Sequence, residues 1–203
     1  MNLARRKQTL VLVGLTGNIA CGKSLVAGML KKLGAEVIDL DLVAHELVKY
    51  GSEAWRRIVD EFGTGILSTD GHIDRRKLGE IVFADPEKLA KLERLTHPAV
   101  IERLEEMIAA SKADVIVVEA IKLIEGGIAE RCDSVWVVTC RPEQQLDRLM
   151  RERRLTVEEA RTRAQAQPVA GEKLRYATVV IDNSGTPEQA WEQVVLEWRR
   201  LVG

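Results

Sequence analysis

Gly17-Asn18-Ile19-Ala20-Cys21-Gly22-Lys23-Ser24 fits G-x-x-x-x-G-K-[ST], the sequence pattern of a phosphate-binding loop. The four apolar residues 10–13 precede it and are bounded by Gly14, which predicts a buried strand. Residues 25–33 follow it with apolar side chains at helical spacing, and Gly34 comes next as a helix stop signal. Strand, glycine-containing loop and helix, in this order, form the context that the pattern requires.

The chemistry of this loop predicts nucleotide binding. Glycines let the backbone wrap closely around phosphates, while successive N–H groups and the helix N-terminus face the negative charge. Lys23 is then placed to reach the β- and γ-phosphates, and the Ser24 hydroxyl is placed to hold Mg²⁺. The alternative is a glycine-rich turn with a chance lysine, and the flanking strand and helix make it the weaker interpretation.

The composition predicts a folded protein without a nucleic-acid or membrane partner. The chain has 203 residues, 46% hydrophobic and 30% charged, which suits one globular domain with room for an inserted subdomain. Its net charge of −1 gives no reason to expect a nucleic-acid or membrane partner, and no apolar run approaches the roughly 20 residues of a membrane span. The three cysteines are too few and too scattered for a disulfide framework or a zinc site, which favours a reducing cytoplasm.

Short apolar runs predict the strands of an α/β fold. Two of them, 115–118 and 135–138, are continuous rather than alternating, which is typical of parallel strands covered on both faces. Helical patterns separate the runs, so we expect a parallel sheet layered with helices. The predicted strands are 10–14, 36–39, 115–119, 135–139 and 178–181.

The stretch 42–110 contains no convincing strand and is much longer than a normal crossover between strands. Asp85-Pro86 and His97-Pro98 each predict a helix start with proline at the first helical position. We therefore expect a helical insertion that covers or forms a binding site.

Acidic side chains follow two of the predicted strands. Asp39 and Asp41 come just after the second strand, and alternation in an extended segment would place both carboxylates on one face. Ligands gather at the carboxyl ends of strands in open α/β sheets, so Asp41 is a candidate to accept the proton of an attacking hydroxyl or to bind Mg²⁺ through water. The alternative for either aspartate is to cap the next helix. Glu119, at the end of the third strand, is a candidate metal-side acid or an ordinary charge at a strand end.

Residues 141–163 hold seven arginines and no lysine. A guanidinium suits phosphate oxygens, so we expect a few of these arginines to touch nucleotide, and a salt-bridged exposed helix is the alternative. Thr156 begins a capping box, which makes Arg153-Arg154-Leu155 the bend of a helical hairpin and predicts a mobile lid over the phosphates.

Asn183 and Cys21 are two further candidates. Asn183, in the turn after the last strand, would contact the nucleotide base, or would belong to a plain turn. Cys21 lies near a helix N-terminus, which can lower the pKa of a thiol, although its plainer role is to be a small side chain that fits the loop. We hypothesise that oxidation of Cys21 would block ATP binding.

In order and over nearly its whole length, the chain resembles the dephospho-coenzyme A kinase family. Many kinases share the phosphate loop, but D-x-D after the second strand, D-G-x-x-D-R and H-P together are more specific. The segments that carry the resemblance are Gly14-Leu15-Thr16-Gly17, Gly22-Lys23-Ser24, Val37-Ile38-Asp39-Leu40-Asp41, Ala44-His45-Glu46-Leu47-Val48, Asp70-Gly71-His72-Ile73-Asp74-Arg75, Val82-Phe83, His97-Pro98, Arg148-Leu149-Met150, Ala164-Gln165-Ala166-Gln167 and Val180-Ile181-Asp182-Asn183-Ser184-Gly185.

The resemblance implies a P-loop kinase fold, with a five-stranded parallel sheet between helices on both faces, a helical acceptor-binding insertion and a lid. It implies transfer of the γ-phosphoryl group of ATP to the ribose 3′-hydroxyl of dephospho-CoA, the last step of coenzyme A synthesis, with Mg²⁺ as cofactor. The core would comprise about 8–41, 113–140 and 176–203, the insertion about 42–112 and the lid about 141–168.

The resemblance also assigns roles to single residues. Asp41 matches the proposed base, residues 20–25 would hold ATP, and Arg75, His97 and Pro98 match the acceptor side. From the residues themselves, Lys23 and Arg148 are the candidates to stabilise the transferred group, and Ser24 is the candidate metal ligand. The ATP-binding candidates are Gly17, Ala20, Cys21, Gly22, Lys23, Ser24, Leu25 and Asn183. The acceptor-binding candidates are Asp39, Arg75, His97, Pro98 and Glu119.

Three segments depart from the usual pattern of the family. Leu25 replaces the threonine that usually follows the loop serine, which leaves Ser24 available for Mg²⁺. Residues 119–125 read Glu-Ala-Ile-Lys-Leu-Ile-Glu in place of D-x-P-L-L-F-E, so a glutamate with a longer reach replaces the aspartate and the proline is lost. Residues 152–154 read Glu-Arg-Arg in place of the usual lid R-D-G.

Two other functions remain open at this point. A kinase for nucleoside monophosphates would share the loop, but the long insertion and the D-G-x-x-D-R motif weigh against it. A non-enzymatic, ATP-dependent switch module would close its lid to signal to a partner, and the acid pair beside the loop disfavours it. For the dephospho-CoA kinase we expect small-molecule substrates, ATP and dephospho-CoA, and a monomer or weak homo-oligomer.

Overall fold

The structure is a computed structural model and describes residues 10–153, 155–165 and 170–203. Arg154 of the predicted hairpin bend and the motif residues Ala166 and Gln167 lie outside the described residues. The strands are β1 Val11–Gly17, β2 Glu36–Asp39, β3 Val115–Glu119, β4 Ser134–Thr139 and β5 Val179–Asp182. The α-helices are α1 Lys23–Lys32, α2 Leu40–Leu47, α3 Glu53–Phe62, α4 Arg75–Phe83, α5 Pro86–Ala110, α6 Pro142–Arg153, α7 Val157–Gln165, α8 Ala170–Leu174 and α9 Pro187–Val202.

The five strands form one parallel sheet in the order β2-β3-β1-β4-β5, which confirms the predicted α/β fold. β1 lies in the centre, with Leu15 opposite Glu119 of β3 and Gly17 opposite Val138 of β4. Because all strands run the same way, their carboxyl ends meet at one edge of the sheet. The loop after β1 leaves this edge where the strand order changes direction, the usual ligand position in such sheets.

β1 is longer than the sequence predicts, because Gly14 lies inside the strand instead of ending it. Gly14 pairs with Val118 on one side and Val135 on the other. A Cβ at this position would lie 2.6 Å from Leu123 Cδ2 and 3.0 Å from Cys132 Sγ. The glycine therefore lets the segment after β3 pack closely on the sheet, and the strand continues to Gly17.

The sheet is buried on both faces, as the continuous apolar runs predict. One face carries Val13, Val117, Trp136 and Ile181, which pack with α1 and α9. On the alternate positions, residues such as Ile116 are equally buried. Trp191 and Trp198 of α9 pack against this core.

The capping box predicted at Thr156 is present at the start of α7, and a second capping box is present at the start of α9. The Thr156 hydroxyl accepts a hydrogen bond from the Glu159 N–H, and the Glu159 carboxylate accepts one from the Thr156 N–H. Thr186 and Gln189 form the same reciprocal pair at α9. These bonds satisfy N–H groups that have no partner inside the helix.

The chain divides into two compact units, residues 1–39 with 112–203, and residues 40–111. The second unit is mainly helical and has its own apolar core of Ile58, Ile66, Leu78 and Val82. Its turn at 67–73 is closed by a single antiparallel bridge between Leu67 and Ile73. In the described part of the chain, no helix has the length and apolar character that a membrane span needs.

The prediction that His97-Pro98 starts a helix is wrong, because α5 runs through both residues from Pro86 to Ala110. The first start signal is correct, since the Asp85 carboxylate accepts hydrogen bonds from the N–H groups of Glu87 and Lys88. Pro98 lies inside the helix, where it lacks the N–H that would bond to the carbonyl four residues earlier. Helical spacing on both sides of Pro98 keeps one continuous apolar face, and packing of that face overrides the local signal.

We expect Pro98→Ala to raise the thermal stability of the protein, by about 1–3 kcal/mol in free energy of unfolding. The alanine restores an N–H donor inside α5 and removes the ring from the preceding turn. Pro86→Ala is the matched control, because Pro86 is at the start of the same helix, where no intrahelical partner awaits its N–H. Thermal melts followed by helical circular dichroism would measure both variants, and a less stable Pro98→Ala protein would contradict this account.

Candidate active site

The loop between β1 and α1 has the backbone conformation of a phosphate cradle. Ala20 and Gly22 have positive φ angles of 60° and 94°, so the chain turns sharply before α1 begins at Lys23. Position 22 requires glycine for a second reason, since a Cβ there would lie 2.0 Å from Nδ2 of Asn183. Ala20 is thus a non-glycine residue in the left-handed region, a strained conformation that is common at ligand sites.

Side chains from two distant segments hold the carbonyl groups of this loop. The buried Asn183 amide donates to the Cys21 carbonyl over 2.9 Å, and Gln145 donates to the Ile19 carbonyl over 2.9 Å. Arg148 donates over 3.4 Å to the carbonyls of Ala20 and Cys21, and over 2.9 Å to that of Asn183. Because a trans peptide points its C=O and N–H in opposite directions, the N–H groups of residues 20 and 22 point away from these donors.

A buried carboxylate joins the first two residues of α1. Oε1 of Glu119 lies 2.7 Å from Lys23 Nζ and accepts a hydrogen bond of 3.0 Å from Ser24 Oγ. The Lys23 and Glu119 side chains are only 13% and 6% exposed, so solvent screens this ion pair weakly. Lys23 and Ser24 at the start of α1 thus meet Glu119 at the carboxyl end of β3, the strand next to β1.

The wall after Glu119 is fixed by a buried lysine that the sequence analysis missed. Lys173 of α8 is 3% exposed, and its ammonium donates to the Ile121 carbonyl over 2.6 Å and pairs with Glu125 over 3.1 Å. The Thr16 hydroxyl of β1 donates to the same carbonyl over 3.2 Å. The segment that departs from the family pattern is therefore held in place by Lys173 and Thr16, without the proline. In the sequence, no local signal distinguishes Lys173 from a solvated lysine. Gln145 was also missed, but it lies one helical turn before the candidate Arg148, and this spacing could have identified it.

Cys21 lies against a second cysteine. Its Sγ is 3.1 Å from the Sγ of Cys140, which directly follows β4. The expectation of a lowered pKa at Cys21 is wrong, because its hydrogen bond with Cys140 and its burial both raise the pKa. The pKa of Cys140 is lowered, chiefly by the same hydrogen bond, and Arg148 adds to the effect. When the Cys140 thiol is ionised, the Cys21 S–H is the donor of the hydrogen bond between the two sulfur atoms.

Among the arginines of residues 141–163, Arg148 of α6 donates to carbonyl groups of the loop. Arg141, Arg151 and Arg153 are exposed, and so are the two arginines of α7, at 161 and 163. α6 ends at Arg153 and α7 begins at Val157, so the two helices have the positions predicted for the hairpin. The motion of this hairpin as a lid stays a prediction.

The two aspartates after the second strand occupy different elements. Asp39 ends β2 and lies opposite Glu119 in the parallel register. Asp41 lies in the first turn of α2, which starts at Leu40. The extended segment expected at 39–41 is therefore absent, and strand alternation does not put the two carboxylates on one face, because a helix turns about 100° per residue.

The acceptor-side candidates Arg75, His97 and Pro98 lie in the unit of residues 40–111. Arg75 is the first residue of α4, capped by Asp74, and its guanidinium contacts Nδ1 of His45 in α2. His97 and Pro98 lie in the middle of α5. Leu25, by contrast, belongs to the phosphate-loop unit, where it is exposed and lines a groove of about 380 Å³ beside Trp191.

Comparison with known proteins gives the family of this chain. Residues 11–189 match the family model described as Dephospho-CoA kinase. The chain belongs to the dephospho-CoA kinase family. It is 44% identical over 196 residues to a dephospho-CoA kinase of Geobacter metallireducens, covering 95% of this chain and 98% of the relative.

Solved structures give the same family and fold. A crystal structure of a Thermus thermophilus protein has a TM-score of 0.84 and 32% identity, and the match covers 96% of this chain and 100% of that one. A dephospho-CoA kinase from Campylobacter jejuni has a TM-score of 0.66 and 29% identity, with 94% and 96% covered. As a member of this family the chain is a kinase, a transferase of coenzyme A biosynthesis with a P-loop fold, and the family implies ATP as substrate.

We expect Asn183→Ala to lower the free energy of unfolding by about 1–3 kcal/mol. The variant removes a buried donor and leaves the Cys21 carbonyl with only the longer contact to Arg148. Ser184→Ala is the neighbouring control, because its hydroxyl accepts one exposed hydrogen bond from the Arg141 N–H and should cost less. Urea unfolding measures both proteins, and equal stabilities would show that Asn183 does not hold the loop.

Proposed function

We propose that the protein transfers the γ-phosphoryl group of ATP to the ribose 3′-hydroxyl of dephospho-CoA, giving CoA and ADP. The observation that carries this proposal is the loop at 17–24, in which Lys23 and Ser24 meet the buried Glu119. It occurs in a chain that matches the dephospho-CoA kinase family over residues 11–189. Phosphoryl transfer needs little covalent help from protein, so positioning and charge stabilisation supply most of the catalysis.

The loop is proposed to bind the ATP phosphates. Its carbonyls are turned toward Asn183 and Arg148, which supports a role of the opposite N–H groups in binding oxygen anions. Lys23 begins α1 and adds a full positive charge at the helix N-terminus. In the ATP complex Lys23 would exchange part of its contact with Glu119 for phosphate oxygens. The groove beside Leu25 adds an apolar wall next to the same helix.

The oxygen atoms present also fit Mg²⁺. Ser24 Oγ and Glu119 Oε1 lie 3.0 Å apart, and hydroxyl and carboxylate oxygens are ligands that this ion prefers. Ser24 would ligate the ion, with Glu119 beside it directly or through water. Bound Mg²⁺ supplies charge neutralisation at the β- and γ-phosphate oxygens.

Asp41 is proposed as the base that orients the acceptor hydroxyl and takes its proton. The proposal follows from its position in the family motif after β2 and from its place in the first turn of α2. Asp39, Arg75, His97 and Pro98 are proposed to bind the acceptor, with Glu119 on the side of the metal. The contact between Arg75 and His45 supports this assignment, because it orients a guanidinium, a good partner for the phosphates of the acceptor.

Arg148 is proposed to stabilise the transferred group. Its contacts of 3.4 Å to the loop are long, whereas its contact of 2.9 Å to Asn183 is of normal length. The guanidinium is therefore held beside the loop by one strong bond, and its weakly bonded nitrogen is the part that would turn to a phosphate. A cytoplasmic location and a monomer or weak homo-oligomer stay predictions from the sequence.

A direct assay tests the reaction. The purified protein is incubated with Mg-ATP and dephospho-CoA, and the products are identified by mass. Formation of CoA and ADP, dependent on the protein, is the expected result. Parallel reactions with nucleoside monophosphates test the alternative kinase activity, and ATP binding without any transfer would favour a switch module.

We expect Lys23→Ala to lower kcat by about 10³-fold or more, because the variant removes a cation that is proposed to neutralise the transferred group. Lys31→Ala in the same helix is the control, because Lys31 is exposed in the last turn and should retain activity. Steady-state rates of ADP formation measure both. A near-normal rate for Lys23→Ala would remove Lys23 from the mechanism.

We expect Asp41→Asn to lower kcat by about 10²–10⁴-fold while the Kd for ATP stays unchanged, because the amide cannot accept the proton. Asp60→Asn makes the same chemical change at an exposed position of α3 and should have no effect on either quantity. Turnover and calorimetric ATP titration together separate the possible roles. Parallel losses of ATP binding and turnover would mark Asp41 as structural or metal-binding instead.

A further inference from the structure

We propose that Cys21 and Cys140 are a redox-sensitive pair. Peroxide oxidises the two thiols to a reversible disulfide, and this disulfide weakens the binding of ATP to the phosphate loop. The expected loss of ATP affinity rests on the proposed function, in which the loop binds ATP. The formation of the disulfide between Cys21 and Cys140 does not depend on that function. It assigns a modification site to two residues that the transfer reaction does not use as reacting groups.

The fold brings the two cysteines together although 118 residues separate them in the sequence. β1 and β4 are neighbours, with Gly17 opposite Val138, so the segments that leave these strands start side by side. Cys21 lies in the loop after β1, and Cys140 is the residue after β4. Their sulfur atoms are 3.1 Å apart, and a disulfide requires about 2.05 Å. A shift of roughly 1 Å therefore completes the bond.

The two thiols differ in burial and in pKa. Cys140 is half-buried, and its pKa is lowered because the Cys21 thiol and the Arg148 guanidinium stabilise its thiolate. Cys21 is buried and its pKa is raised. The more accessible and more acidic sulfur is the one that an oxidant would meet first.

The chemistry balances with peroxide as the oxidant. The Cys140 thiolate attacks one peroxide oxygen, the O–O bond breaks, and a sulfenic acid forms as the other oxygen leaves as hydroxide, which becomes water by taking up the proton that the Cys140 thiol released on ionisation. The Cys21 sulfur then attacks the Cys140 sulfur, the S–O bond breaks, and a second water leaves with the thiol proton. The two thiols lose two electrons in total, and a dithiol reductant restores them.

The disulfide would act on the loop because Cys21 is part of the cradle. Its carbonyl is held by Asn183 and Arg148, so a sulfur drawn toward β4 pulls against these two bonds. Misplacement of binding groups by about 1 Å can cost about 100-fold in activity. We expect a loss of ATP affinity of at least about tenfold in the oxidised protein.

Cys132 provides an internal control. Burial raises the pKa of its thiol to about 11, and its Sγ donates to the Ile128 carbonyl over 3.3 Å. Cys132 packs beside Gly14, in the middle of β1 and away from the loop that follows this strand. A general sensitivity of thiols to peroxide would include Cys132, whereas the proposal requires Cys21 and Cys140.

The experiment treats the full-length protein with hydrogen peroxide, removes the excess, and follows two readouts. Peptide mass spectrometry under non-reducing conditions should show a Cys21–Cys140 link that dithiothreitol removes. Calorimetric titration with ATP should show at least tenfold weaker binding by the oxidised protein, reversed by the reductant. Absence of the linked peptide overturns the proposal, whatever the ATP titration shows.

Two variants separate the causes. Cys140→Ser should bind ATP like the wild-type protein and keep this affinity after peroxide, whereas Cys132→Ser should lose affinity as the wild-type protein does. Peroxide sensitivity that persists in Cys140→Ser overturns the proposal. If the reduced wild-type protein does not bind ATP, the proposed function fails, and the linked peptide still decides whether the pair forms a disulfide.

Discussion

The arrangement of the site depends on one buried carboxylate. Glu119 ends β3, next to the central strand, and its Oε1 meets both Lys23 and Ser24 from the start of α1. A charge buried this deeply is tolerated only with a partner, and loss of one member of such a pair typically costs about 3–5 kcal/mol. The need to neutralise Glu119 therefore holds the first turn of α1 against the end of the sheet. The residues proposed to bind phosphate and metal are oriented by the same contact.

The backbone of the loop depends on a second group of contacts, which come from the far end of the chain. Gln145 and Arg148 of α6 and Asn183 after β5 donate to three successive loop carbonyls. Glycine at position 22 is required by this packing as much as by its φ angle, because the Asn183 amide occupies the space of a Cβ. The conformation of the phosphate loop thus depends on β1, which precedes it, and on hydrogen bonds from segments more than 120 residues away. The pairing of β1 with β4 likewise places Cys21 of the loop against Cys140.

The fold could be predicted in large part from local patterns. Apolar runs such as 115–119 and 135–139 were sufficient because a strand covered on both faces needs apolar side chains at every position. The predictions failed where distant packing overrides a local signal. Gly14 continues β1 because Leu123 needs its space, and Pro98 lies inside α5 because the apolar face of that helix continues beyond it. Within the site, contact of Asn183 and Arg148 with the nucleotide stays a prediction, their contacts with the loop carbonyls were not expected, and Lys173 was missed.

The sequence by itself determined the class of the protein, because the phosphate-loop motif, the strand pattern and the family motifs are contiguous or regularly spaced segments. It also determined which residue types are available for chemistry, including Lys23, Ser24 and Asp41. Only the tertiary structure decided the strand order, the meeting of Lys23 and Ser24 with Glu119, and the pairing of Cys21 with Cys140. The physical reason is that parallel strands bring residues from distant parts of the chain to one edge of the sheet, and the burial and charge of each group then follow from its neighbours there.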